Sequence, residues 1–136
     1  MEMLEWIKSR RSTRKYLGRA VEQEKVEQVV EAGRFAPSGG NMQNTHFLVI
    51  RRPEALEKLA DLARQEFAKM EETPDMYKSL RSAVLRYNEG NYVFTFHAPV
   101  LIVTASKKGY PNGMANCACA LENMMLAANA LDLGSC

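Results

Sequence analysis

Met3, Leu4, Trp6 and Ile7 open the chain with apolar side chains at i, i+1, i+3 and i+4, the spacing of a short helix. After a connector at Leu17 to Ala20, a second helix is predicted from Glu22 to Arg34. Val26, Val29, Val30 and Ala32 mark its buried face, and Glu22, Glu24, Glu27 and Glu31 face water. His46, Phe47, Leu48, Val49 and Ile50 form a continuous apolar run, which predicts a strand buried on both faces. Pro53 suits the first position of a helix reaching about Met70, and Thr73 the cap of another from Pro74 to Tyr87. Glu89 to Phe96 reads as a turn into an aromatic stretch. His97-Ala98-Pro99 then leads into a second buried strand, Val100 to Ala105.

The last helix, Met114 to Leu131, is different. Ala115, Cys117, Ala118, Ala120, Leu121, Met124, Met125, Leu126, Ala127 and Ala128 leave it almost without charge, Glu122 excepted. A helix apolar all round is expected to be buried all round. In a chain this short, that points either to cover by a second subunit or to a purely internal core helix. Gly134 is placed near the left-handed position that closes it. Two core strands are few for a layered fold, so the sheet is expected either to be completed by another chain or to belong to a longer one.

At 136 residues with 46% hydrophobic content, the chain suits one domain over residues 1–136. No stretch approaches the ~20 apolar residues of a membrane span and the N-terminal helix carries Glu2, Glu5 and Lys8, so a cytoplasmic protein is expected. A net charge of +2 argues against a dedicated nucleic-acid binder. Cys117, Cys119 and Cys136 make no even disulfide framework and are expected as small core residues. Neither His46 nor His97 has partners at metal spacing, and no metal is expected.

The charge that matters is local. Arg10, Arg11, Ser12, Thr13, Arg14, Lys15 and Tyr16 put four cations and two aliphatic hydroxyls into seven residues. Guanidinium forks and a hydroxyl suit a phosphate, although a basic run is also what a solvated face looks like. Ala36 to Asn44 holds Pro37, Gly39, Gly40 and several amides, a loop able to bring bare backbone against another molecule, or simply a helix-to-strand connector.

Taken together, three blocks in order resemble the FMN-dependent nitroreductase family: Arg10 to Tyr16, Ala36 to Gln43 running into the His46 strand, and the Asn116 to Leu131 helix closed by Leu133-Gly134-Ser135-Cys136. The resemblance implies an α+β sandwich with a central sheet flanked by helices, forming a homodimer with the long apolar helix at the interface and FMN in clefts made by both subunits. Arg10, Arg11 and Ser12 would then contact the FMN phosphate and ribityl chain, and Arg14 the pyrimidine edge of the ring. Pro37, Ser38, Gly39 and Asn41 would come from the partner. The implied chemistry is ping-pong hydride transfer from NADH or NADPH through the flavin to a nitroaromatic, quinone or similar small-molecule acceptor, with no protein nucleophile.

Two alternatives stand beside that reading. One is a specialised flavin enzyme of the same fold, a reductive dehalogenase or flavin-cleaving type; the other is a non-catalytic anion-binding module. The family also continues past the position of Cys136 with a further strand and a basic residue for the phosphate. A chain ending there is accordingly expected to be C-terminally incomplete and to hold flavin more weakly than a longer one.

Overall fold

The computed structural model describes residues 2–136, which form two compact units. The first takes in the residues up to Arg14, Gly18–Val49 and Ile102–Cys136, and the second Lys15–Leu17 and Ile50–Leu101.

In the first unit, α1 (Met3–Ser9) and α2 (Gln23–Arg34) precede a 3-10 turn at Gly39–Asn41 and strand β1 (His46–Ile50). Strand β2 (Leu101–Ala105) pairs with β1 in a two-stranded sheet, and α5 (Gly113–Ala130) follows. The core lies where α2, α5 and the sheet meet: Val29, Met124 and Ala128 are buried, with Phe47, Ile102, Ala127, Leu131 and Leu133 packed around them.

What lets the two helices approach is Gly33. A Cβ there would lie 2.8 Å from Cε1 of Phe47 and 2.9 Å from Cγ of Met124, so a hydrogen is all the contact admits. Just ahead of α2, the Glu22 carboxyl is held below its usual range by a hydrogen bond from its own backbone N–H and then by Lys25. That Lys25–Glu22 pair is exposed at 3.9 Å and contributes little to stability.

In the second unit, α3 (Pro53–Phe67) buries Ala60, and α4 (Lys78–Asn88) buries Ala83 and Val84. Phe67 meets Tyr92 edge-on at 5.5 Å between centroids, and Tyr92 meets Phe96 at 6.3 Å. Arg81 of α4 pairs with Glu72. Phe96 and His97 both take left-handed backbone conformations (φ 51° and 58°), unusual for two consecutive residues that are not glycine.

Several expectations change. Helix α4 starts at Lys78 rather than Pro74; the Thr73 carbonyl instead accepts from the Met76 N–H in a separate turn, and no side chain caps the helix. Helix α3 stops at Phe67, three residues short of Met70. Strand β1 is not buried on both faces: Phe47 and Val49 are half-buried, Phe47 against the core, while Leu48 on the opposite face stays 59% exposed. In α1 no residue is buried, and Met3, Leu4 and Ile7 face outward.

Helix α5 buries a single stripe, Gly113, Asn116, Ala120, Met124 and Ala128, at spacings of three and four. Met114 on another side is 88% exposed. Apolar composition marks a surface that avoids water without saying which element covers it, and this chain supplies cover for only one stripe. For the same reason Cys119 and Cys136 are exposed and Cys117 half-buried, none of them core.

Replacing Gly33 by Ala would gain about 1 kcal/mol in helix propensity but lose about 1–3 kcal/mol to overpacking. Gly33→Ala is expected to lower the urea midpoint of unfolding; a raised midpoint would mean that the α2–Met124 approach is looser than described.

Candidate functional site

The basic segment leaves α1 in extended conformation, with Arg10 at φ −59°, ψ 133°. Polar bonds from α5 hold it in place. Asn129 donates through Nδ2 to the Trp6 carbonyl at 3.3 Å and to Ser9 Oγ at 2.8 Å, and Ser9 Oγ donates in turn to the Trp6 carbonyl at 2.9 Å. Beyond α5, Ser135 runs parallel to Ser12 and its carbonyl accepts from the Thr13 N–H at 2.8 Å. Gly134 permits this approach, since a Cβ there would lie 2.7 Å from Cγ2 of Thr13.

The exit from α5 that delivers Ser135 differs from expectation. Asp132, not Gly134, takes the left-handed position (φ 58°). The Leu133 N–H reaches the Ala128 carbonyl at 2.9 Å and the Asp132 N–H the Asn129 carbonyl at 3.3 Å, the paired bonds of a Schellman closure. Leu133 then folds onto the core beside Ala128. Asp can adopt this conformation at modest cost, which leaves Gly134 to serve close packing instead.

Of the cations, Arg10 is half-buried and Arg14 exposed, as is the hydroxyl residue Ser12. Arg11 turns back: its Nη1 donates to the Lys8 carbonyl at 2.7 Å and the Arg10 carbonyl at 2.9 Å. That arrangement satisfies orphan carbonyls at the α1 C-terminus and places a cation at the negative end of its dipole.

The second predicted group is a loop with unusual backbone. Gly40, Asn41 and Gln43 all have positive φ (62°, 55° and 48°), two of them without the freedom of glycine. Its own bonds set this shape: Asn41 N–H to the Ser38 carbonyl (2.8 Å), Met42 N–H to the Gly39 carbonyl (3.3 Å) and Gln43 N–H to Ser38 Oγ (3.0 Å). One bond comes from far along the chain, Gly39 N–H to Asn116 Oδ1 at 3.1 Å. Gly39 lies so close to the Asn112 amide that a Cβ would overlap it. Pro37 and Asn41 are exposed, and Ser38 and Gly39 half-buried.

Helix α5 therefore carries both groups, one at each end. The loop is fixed at Asn112 and Asn116, the basic segment at Asn129 and Ser135. Thirteen residues separate the two anchoring amides, ~20 Å at 1.5 Å per residue. Sequence reasoning named both groups but missed these anchors. The signal was present, because an amide buried in an apolar helix needs a partner.

The donor set fits a phosphorylated ligand. Guanidinium groups and a hydroxyl line the basic segment, and among the described residues no ion pair ties Arg10 or Arg11 to a carboxylate. The loop's glycines fit a flat ring, since they leave backbone rather than side chains to face it.

Residues 7–136 match the model of the nitroreductase family. The chain belongs to that family. This nitroreductase-family chain is 32% identical, over 98% of its length, to a protein of Archaeoglobus fulgidus provisionally named NADH dehydrogenase/NAD(P)H nitroreductase. Among solved structures it resembles a Bacteroides fragilis nitroreductase with bound FMN (TM-score 0.81, 35% identity, 96% of this chain). It also resembles a BluB-like flavoprotein from Clostridium difficile (TM-score 0.74, 31% identity, all of this chain and 73% of that one). The nitroreductase-family chain spans 65% of the Archaeoglobus protein and 66% of the Bacteroides chain. The α+β nitroreductase fold expected from the sequence is thus shown. No helix among the described residues is long and apolar enough to cross a membrane.

The Gly134 contact is testable without any ligand. Gly134→Ala should destabilise the protein by about 1–3 kcal/mol through overpacking against Thr13. Gly18→Ala, with nothing within 4 Å of the added methyl, should change stability by no more than about 0.5 kcal/mol. Equal thermal midpoints for the two variants would remove the close approach from the description.

Proposed function

We propose that residues 1–136 act as one nitroreductase-like domain of an FMN-dependent NAD(P)H oxidoreductase, working as a homodimer on small electron-poor acceptors such as nitroaromatics or quinones. The observation that carries this reading is the placement of the two groups at opposite ends of α5, ~20 Å apart along its axis. A second copy running antiparallel along the exposed flanks of α5 would bring the loop of one chain to the basic segment of the other. It would also cover apolar surface that this chain leaves exposed, such as Met114.

In that assembly Arg10 and Ser12 hold the phosphate and ribityl chain of FMN, Arg10 by charge-assisted hydrogen bonds. Arg11 joins them by releasing the Lys8 and Arg10 carbonyls it now binds. Arg14 lies at the pyrimidine edge, where its charge opposes the negative charge that reduction places on the ring. Pro37, Ser38, Gly39 and Asn41 of the second chain line the ring with backbone and small groups. FMN, when bound, supplies a hydride acceptor and donor at N5. The protein's part is then to bind, orient and tune, which needs neither a nucleophile nor an acid–base pair.

The likeness to both a nitroreductase and a BluB-like flavoprotein leaves room for a more specialised flavin reaction on the same site. Either reading expects a yellow dimer on purification, bleached by NADH or NADPH under anaerobic conditions. A colourless monomer that takes up no added FMN would overturn both. Within a flavin-loaded protein, Arg14→Ala should lower the reduction potential and slow hydride uptake. An unchanged potential would take Arg14 away from the ring.

A further inference from the structure

Asn116 is 95% buried by exposure, the one polar residue of the α5 buried stripe. Its amide has a fixed orientation, because the Gly39 N–H can donate only to Oδ1. That leaves Nδ2 buried without a partner among the described residues. An unmet buried donor is costly, and an apolar side chain would avoid the cost. What Asn116 supplies that an apolar side chain there would not is an acceptor for the Gly39 N–H.

The bond it accepts has no equal in the loop. The hydrogen bonds among Ser38, Gly39, Asn41, Met42 and Gln43 set the loop's shape without fixing where it lies. The Gly39–Asn116 bond alone, among the described residues, ties that loop to a distant element, 77 residues away. Beside it, Asn112 leaves Gly39 no room for a side chain, so the loop sits against α5 by contact on one side and by this bond on the other.

We infer that Asn116 is a positioning residue. It fixes the Gly39–Gln43 loop to α5 and so sets how closely that loop's backbone approaches the flavin ring held by the other subunit. The inference rests on the proposal that this loop lines FMN. A tether on a buried helix holds the loop in its bound shape before the ligand arrives, which lowers the ordering cost of binding.

Three variants of the full chain separate the possibilities: Asn116→Asp keeps an acceptor at the same reach, Asn116→Leu removes it at similar volume, and Asn116→Ser shortens it in case the Leu variant fails to fold. Two readouts are taken for each, the hydrogen-exchange rate of the Gly39 amide without ligand and the FMN dissociation constant by flavin fluorescence. Loss of the acceptor should speed Gly39 exchange about tenfold and weaken FMN binding about tenfold, as loss of one hydrogen bond worth about 1.4 kcal/mol gives. Asn116→Asp should restore both to within about threefold of the parent, which a merely structural polar residue in the core would not show. Unchanged Gly39 exchange in the Leu and Ser variants would overturn the tether. Faster exchange with unchanged FMN affinity, in a parent protein that does bind FMN, would overturn the positioning role alone. A parent protein that binds no FMN would overturn the proposed function, and this role in flavin binding with it.

Discussion

Close approach of α5 to its neighbours is the constraint on which the first unit depends. The buried stripe of α5 is built from small or flexible residues, Gly113, Ala120, Met124 and Ala128, and α2 presents Gly33 to it. Small residues bring helix backbones together and let the surrounding Phe47, Ile102 and Leu133 close the remaining space. Three asparagines of α5, one towards each end and one mid-helix, reach neighbouring segments. Asn123 donates to the Ala32 carbonyl near the end of α2, Asn116 holds Gly39, and Asn129 holds α1. One apolar helix thus packs the core along its length and holds the two candidate site segments at its two ends.

That division explains why the site groups look weak when taken one at a time. A basic run and a glycine-containing loop are both common on protein surfaces, and each has an ordinary explanation. Their attachment to opposite ends of one rigid element changes this, because the distance between them is then set by helix geometry rather than by flexible chain. Glycine acts twice in the arrangement by absence of a side chain, at Gly39 against Asn112 and at Gly134 against Thr13. In both places a methyl group would push away a segment that carries candidate ligand contacts.

The exposed apolar surface has a related meaning. Leu48 on the sheet, Met3 and Leu4 on α1 and Met114 on α5 are all open to solvent in the single chain. Exposed apolar surface on that scale is expected to be covered by another protein surface. A homodimer along α5 supplies one such cover in the proposed function.

Local chemistry made much of this legible in the residues. A periodic apolar face located α2, and uninterrupted apolar runs located α5 and both strands, to within a residue or so, since side chains alone write these patterns. The three ordered blocks are enough to mark the chain as a nitroreductase-family sequence. Element ends that depend on competing turns were not legible: Pro74 starts a separate turn rather than α4, and Asp132 displaces Gly134 from the left-handed position. Burial was least legible, because Leu48 and Met114 are apolar whether or not this chain covers them. Only the tertiary structure could pair Asn116 with Gly39 and Ser135 with Thr13, since those bonds join residues 77 and 122 positions apart, and nothing in a linear sequence records which distant groups a helix will bring together.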